Sequence, residues 1–353
     1  VMRGNQIRLR ERLMIRADQN QISLQGMVKL ILFILKVAIL FELLGALILT
    51  IHFIYNYQAP FLSALGMGVF HGISGFTNAG FDLFGNSLLD FQQDYIVKGV
   101  IGTLLLAGAI GFPVLLESYS NLLSWRKQRK LRFSLYTKIT TITFGILVIA
   151  GFFFILLSEY SSTLAGMPWS QKIAVALFQS LTTRSGGFSS IDMNILSSST
   201  LLFLSLLMFI GASPSSCGGG IRTTTFAVLL LSLKAYLEGS NHVKVFQREL
   251  YQEDIVKALL VFFLAVVLIF ISVVALAAIE NFSTTEIIFE VCSAFGTTGL
   301  SMGITGELSK AGKAIIIAVM LIGRIGLISL LLLFRTRRPE DSFHYVKEHI
   351  IIG

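Results

Sequence analysis

The 353-residue chain is 54% hydrophobic and only 14% charged, with a mean hydropathy of +0.77, which leaves too little polar surface to coat a soluble globule. Its net charge of +8 sits on basic residues between hydrophobic segments, without aromatic interleaving. That pattern excludes a nucleic-acid binder and makes membrane lipids the expected contact. Cys217 and Cys292, its two cysteines, exclude a disulfide framework and a cysteine-built metal cluster.

In chain order, residues 1–26 read as a basic linker. Windows long enough to cross about 30 Å of hydrocarbon follow at 28–53, 96–117, 139–157, 200–236 with an interruption, 255–279 and 312–334. Between the first and second, third and fourth, and fifth and sixth of these lie apolar stretches at 61–75, 170–182 and 284–295. Each is too short to span, so each reads as a re-entrant helix. The segments Trp125–Arg132 and Lys234–Lys257 are rich in Lys and Arg and are expected on the cytoplasmic side, as is the tail 335–353. The stretches holding the short helices carry Asp82, Asp90, Asp94, Glu159, Asp192, Glu280, Glu286 and Glu307 with few basic residues. An acidic outer vestibule that concentrates cations is the expectation.

After each short helix comes a polar loop: FTNAGFD (Phe76–Asp82), TRSGGFSS (Thr183–Ser190) and FGTTGLS (Phe295–Ser301). In each, a glycine precedes a large apolar residue, and Gly80, Gly187 and Gly299 recur at intervals of roughly 110 residues, the signature of a tandem repeat. Irregular backbone is tolerated at membrane depth only where protein buries it or it lines a water-filled path. Carbonyls that coordinate a dehydrating cation meet that condition. The candidate filter is therefore Thr77, Asn78, Ala79 and Gly80, with Ser185, Gly186 and Gly187, and with Thr297, Thr298 and Gly299. One such loop alone would read as a helix C-cap. Three in register on the acidic face favour an ion path.

These residues resemble the Trk/Ktr/HKT superfamily of potassium transporters, and most closely its bacterial Ktr membrane subunits, over essentially the whole chain. The resemblance implies an all-α polytopic membrane fold of outer helix, pore helix, filter loop and inner helix, repeated around a pseudo-four-fold pore. It implies potassium uptake, with sodium as a second transported or modulating ion, through a pore within one protomer of a homodimer in the bacterial plasma membrane. Potassium would sit at the filter carbonyls, with no other metal and no cofactor in this chain. Family members carry four repeats and this sequence shows three, so a first repeat is expected to be missing. The expected organisation is a cytoplasmic linker at 1–26, a second repeat at 27–123, a third at 124–237, a fourth at 238–334 and a cytoplasmic tail at 335–353.

The stretch FIGASPSSCGGGIRTTTF (Phe209–Phe226) interrupts the fourth crossing. Pro214 removes a backbone donor and three glycines loosen the chain, so the helix is expected to break in mid-membrane. In the family this place holds the intramembrane loop that gates the pore, which assigns Gly211, Ala212, Ser213, Pro214, Ser215, Ser216, Cys217, Gly218, Gly219 and Gly220 to a gate. Arg324, mid-span in the last crossing, is by default a functional candidate. The resemblance places it below the filter against the gate; the alternative is a buried ion pair with Glu42. Arg184 is expected to brace the filter from the side, since a cation aimed into a cation filter would defeat it. Glu290 and His71 read as hydrogen-bonded packing residues.

GASPS (Gly211–Ser215) has the Gly-x-Ser of intramembrane hydrolases, but none of His52, His71, His242, His344 and His349 lies on a later span to act as its base. The chain does not read as an enzyme. A secondary cation transporter with a closed central site shares the broken helix, yet tandem loops of one orientation favour a channel-like path. No G-x-G-x-x-G βαβ unit is present, so nucleotide control belongs to a partner, which the resemblance identifies as a cytosolic RCK-type nucleotide-binding ring. Its expected docking surfaces are the linkers at Arg126–Arg132 and 234–253 and the tail from Arg335.

Overall fold

Pro60, Pro168 and Ser283 mark where three long helices hand over to three short ones. The computed structural model describes residues 27–126, 133–334, 348 and 351. The linker 1–26, the basic run 127–132 and most of the tail 335–353 lie outside the described residues. A first unit comprises α1 (Met27–Tyr57), α2 (Phe61–Phe76), α3 (Tyr95–Ala109) and α4 (Phe112–Arg126). A second comprises α5 (Leu135–Ser158), α6 (Trp169–Thr182), α7 (Ser198–Phe209) and α8 (Thr223–Leu237). After a hairpin of β1 (Lys244–Val245) and β2 (Arg248–Glu249), the third comprises α9 (Gln252–Ile279), α10 (Thr284–Phe295), α11 (Lys310–Ile325) and α12 (Leu327–Phe334). The hairpin pairs Lys244 with Glu249 and Val245 with Arg248, and Phe246 and Gln247 make its turn with φ of 49° and 60°.

The outer helices α1, α5 and α9 are the three that are long and apolar enough to cross a membrane unaided, among the described residues. They turn Leu43, Leu47, Ile146, Phe263 and Phe270 outward, as a lipid-facing surface requires. Helices α2, α6 and α10 fall where short apolar stretches predict them, within a residue or two. Pro60 and Pro168 open two of them, where a missing N–H is no loss. Ser283 and Glu286 form a reciprocal capping box at the third.

Every inner helix is broken. The fourth crossing breaks between Phe209 and Thr223, as its proline and glycines require. The second crossing, expected as one span over 96–117, is instead two helices, α3 and α4, bent by 101°. Gly111 takes a left-handed φ of +99° at the corner, and Pro113 in the following turn has no N–H to carry a straight helix onward. The sixth, expected over 312–334, breaks at Gly326 with φ of +86°.

Six of the eight outer carboxylates are committed to caps and staples. Asp82 accepts from the N–H groups of Phe84 and Gly85, Asp192 from Asn194, and Glu286 closes its capping box. Asp94 caps α3 through Ile96 and Val97 and also takes His52 Nε2 at 2.5 Å and the Tyr57 hydroxyl at 2.9 Å. Burial pushes its carboxyl up, but hydrogen bonds from His52, Val97 and Tyr57 outweigh that and hold it below the usual range. Glu159 and Glu280 bind the starts of α7 and α11. The outer face is thus acidic, but capping rather than ion binding fixes these side chains.

Candidate ion pathway

The loops leaving α2, α6 and α10 share one backbone pattern. Each is left-handed at its glycine and again two residues earlier: Asn78 (53°) and Gly80 (71°), Ser185 (67°) and Gly187 (81°), Thr297 (47°) and Gly299 (94°). A side chain in this conformation costs about 1 kcal/mol or more, so its recurrence at Asn78, Ser185 and Thr297 points to a functional backbone path. The loops also complete the pore helices, since Ala79 N–H bonds to Ser74 carbonyl and Thr298 N–H to Ser293 carbonyl, both at 2.9 Å.

The three glycines converge. A β-carbon on Gly80 would stand 2.8 Å from the Gly187 Cα, and one on Gly299 would stand 3.5 Å from it. One on Gly187 would run into the Thr298 carbonyl. No side chain fits at Gly80 or Gly187, and at Gly299 the left-handed φ of 94° disfavours one. The loops are tied sideways as well: Asn78 Nδ2 donates to the Arg184 carbonyl at 3.4 Å and Ser185 Oγ to the Gly296 carbonyl at 2.7 Å. Behind them Phe53, Leu105, Phe178 and Phe188 pack as a dry wall. Between the first loop and the third opens a cavity of about 750 Å³, lined by Thr77–Ala79 and Phe81, by Thr297–Ser301, and by one face of α11.

Arg184 is 1% exposed and lies behind these loops. Its Nη2 donates to the Leu207 carbonyl of α7, while Nε and Nη1 have no partner. His71 is also buried, with Nδ1 on the Met67 carbonyl at 2.7 Å and its ring stacked on Phe84 at 4.5 Å.

The irregular segment between α7 and α8 sits directly beneath. Gly219 N–H reaches Ser185 Oγ at 3.2 Å, joining it to the second loop. Its other polar groups are met by the broken crossing of the first unit. Ser213 N–H bonds to the Ala109 carbonyl and Cys217 N–H to the Gly108 carbonyl, both at 3.0 Å; in return Phe112 N–H bonds to the Ser215 carbonyl at 2.8 Å. The Tyr136 hydroxyl donates to the Pro214 carbonyl at 2.7 Å. The two breaks satisfy each other. Arg324 Nη1 donates to the Cys217 carbonyl and Arg222 Nη1 to the Gly218 carbonyl. Arg324 and Glu42 form no ion pair among the described residues.

Sequence reasoning missed Gly111, Tyr136 and Arg222 as partners of this loop. The triplet Gly111-Phe112-Pro113 was the available signal.

This architecture has known counterparts. The family model for TrkH, a cation transport protein, matches residues 2–345. The chain belongs to the TrkH family of cation transport proteins. TrkH-family membership makes it a multi-pass membrane transporter rather than an enzyme. It is 48% identical over 350 residues to Ktr system potassium uptake protein D of Bacillus subtilis, covering 99% of this chain and 77% of that one. It is 34% identical to the potassium/sodium uptake protein NtpJ of Enterococcus hirae, covering 97% of this chain and 76% of that one. The crystal structure of the potassium transporter TrkH from Vibrio parahaemolyticus superposes with a TM-score of 0.72 at 17% identity, over 92% of this chain and 68% of that one. That last likeness shares the TrkH fold.

Proposed function

We propose that this chain is the membrane subunit of a potassium uptake system of the bacterial plasma membrane, passing monovalent cations through a filter of backbone carbonyls. The observation that carries the reading is the convergence of three in-register loops, each left-handed at its glycine and two residues before it, on Gly80, Gly187 and Gly299. Carbonyls held in such a path replace the hydration shell of an alkali cation without adding net charge. Potassium is the principal cargo, in keeping with relatives described as potassium uptake proteins, and sodium is a second ion, in keeping with one described as a potassium/sodium uptake protein.

The segment from Gly211 to Gly220 is the gate and Arg324 its electrostatic latch. A guanidinium in the cation path opposes conduction as long as it stays on the Cys217 carbonyl. Arg184 supports the filter from behind. In the membrane the protein is a homodimer, and a cytosolic RCK-type ring carries the nucleotide that controls it. The described part of the docking surface includes the exposed Phe246 and Tyr251 around the hairpin.

The test is potassium-limited growth and rubidium uptake in a transporter-deficient bacterial strain producing the full-length protein with a cytosolic regulator. Rescue that is lost when Gly299 is replaced by Ser supports the reading. Absence of uptake by correctly folded protein overturns it.

A further inference from the structure

Six residues before its glycine, the first loop has Ser74 and the third has Ser293, each on its own short helix. Both serines brace the loop that follows them. Ser74 takes the Ala79 N–H on its carbonyl at 2.9 Å and donates its hydroxyl to the Phe81 carbonyl at 2.7 Å. Ser293 takes the Thr298 N–H on its carbonyl at 2.9 Å and the Gly299 N–H on its hydroxyl at 3.2 Å. The second loop has Leu181 in that place, which offers no hydroxyl. Its backbone also returns differently: Gly186 N–H reaches four residues back, to the Thr182 carbonyl at 2.7 Å, where Ala79 and Thr298 reach five.

Support for the second loop comes from outside it. Ser185 is fully buried and left-handed, with φ of 67°. Its hydroxyl donates to the Gly296 carbonyl of the third loop at 2.7 Å and accepts from Gly219 N–H of the segment below at 3.2 Å. One chain of hydrogen bonds therefore runs from that segment through Ser185 into the third loop, each bond polarising the next. Contact there is tight, since a β-carbon on Gly218 would stand 2.6 Å from Ser185 Oγ, and one on Gly219 would stand 2.6 Å from Thr297 Oγ1. Asn78 and Thr297, the counterparts of Ser185, make no side-chain hydrogen bond to the segment among the described residues. If Gly219 withdraws, a buried hydroxyl loses its donor, and a residue in a disfavoured backbone conformation loses part of what holds it there.

We infer that Ser185 is a specificity-determining positioning residue: its hydroxyl carries support from the Gly211–Gly220 segment to the second and third loops, so that discrimination among cations depends on where that segment lies. The inference rests on the proposed reading of the loops as a filter and of the segment as a gate. It makes the gate part of the frame that holds the filter, and it ties selectivity to gating through one side chain.

The test is a double-mutant cycle on rubidium-over-sodium discrimination in transporter-deficient cells producing the full-length protein with a cytosolic regulator, with total flux read alongside. Ser185→Ala and deletion of Ser213–Gly220 are each expected to lower discrimination by about fivefold, and the two together by no more than either alone. Ser74→Ala, which loosens the first loop from within, is expected to add its loss in full to that of the deletion. A role for Ser185 in packing alone would lower stability without this contrast between the two serines. Additive losses for Ser185→Ala and the deletion overturn the inference, as does wild-type discrimination in folded Ser185→Ala protein. If the deletion variant does not fold, Gly218→Ala, whose β-carbon pushes the segment off Ser185, takes its place in the cycle with the same expectation. Non-additive losses of discrimination without a rise in total flux would support the coupling and overturn the gate reading.

Discussion

The carboxylate of Glu159, at the end of α5, accepts from both the backbone N–H of Ser197 at 3.0 Å and its hydroxyl at 2.7 Å, stapling an outer helix to the start of an inner one. Glu280 makes the same pair of bonds to Ser309, at 3.0 and 2.6 Å. In the first unit the staple is reversed: His52 on the outer helix donates to Asp94, the cap of the inner one. The three helical units solve one problem, the joining of two helix ends at the outer rim, with two different chemistries.

Acid should undo the Glu159 staple. Burial raises its pKa, but hydrogen bonds from Ser162, Thr200 and Ser197 more than reverse this and bring it to about 2 from an ordinary 4.5. A depressed carboxyl stabilises the fold above its unfolded pKa, so this contribution is complete above about pH 4.5 and is lost as pH falls toward 2. Replacing Glu159 by Gln removes charge-assisted bonds of about 1.5–3 kcal/mol each at most. The expected result is a melting temperature about 5 °C lower at pH 7 and a flatter acid limb, followed by intrinsic fluorescence on heating.

Gly187→Ser puts a β-carbon 2.8 Å from the Gly80 Cα and onto the Thr298 carbonyl, at a φ of +81°. Loop carbonyls must shift to admit it. Discrimination of rubidium over sodium in flux assays is expected to fall by about tenfold. Unchanged selectivity would remove this loop from the filter.

Deleting residues Ser213–Gly220 removes the segment that touches Ser185 from below and carries the carbonyl that Arg324 holds. Open-state flux is expected to rise by about tenfold or more relative to wild type. Equal or lower flux in folded protein would make the segment a passive kink.

Gly111→Ala is expected to reach the same segment from the side. The new β-carbon stands 2.8 Å from the Pro214 carbonyl at a backbone angle that disfavours it, a strain of about 1–3 kcal/mol. A melting temperature lower by about 2–8 °C is expected, together with altered basal rubidium flux. A change in stability with no change in flux would separate α4 from gating.

What the sequence made legible was local. The short helices α2, α6 and α10 followed from length and hydropathy, and the break after Phe209 from the density of glycine and proline. The corner at Gly111 was hidden because a hydropathy window averages across Gly111-Phe112-Pro113, and the need for a break lies elsewhere, in the unsatisfied groups of Ser213 and Cys217. Glu159 and Glu280 were legible as charges but not as staples, since their partners Ser197 and Ser309 lie 38 and 29 residues away and nothing local marks them. The contact of Gly80 with Gly187 became visible only once three loops were folded onto one point.

The reciprocal bonding of the two breaks ties opening to wetting. If the segment around Ser213 and Cys217 swings away, the carbonyls of Gly108 and Ala109 lose their donors in the middle of a low-dielectric slab. Each bare carbonyl there costs a few kcal/mol, so the movement is favourable only when water arrives as the segment departs. If that segment is the proposed gate, the dry and flooded states of the inner half are its closed and open states, and water admitted to the corner at Gly111 favours opening.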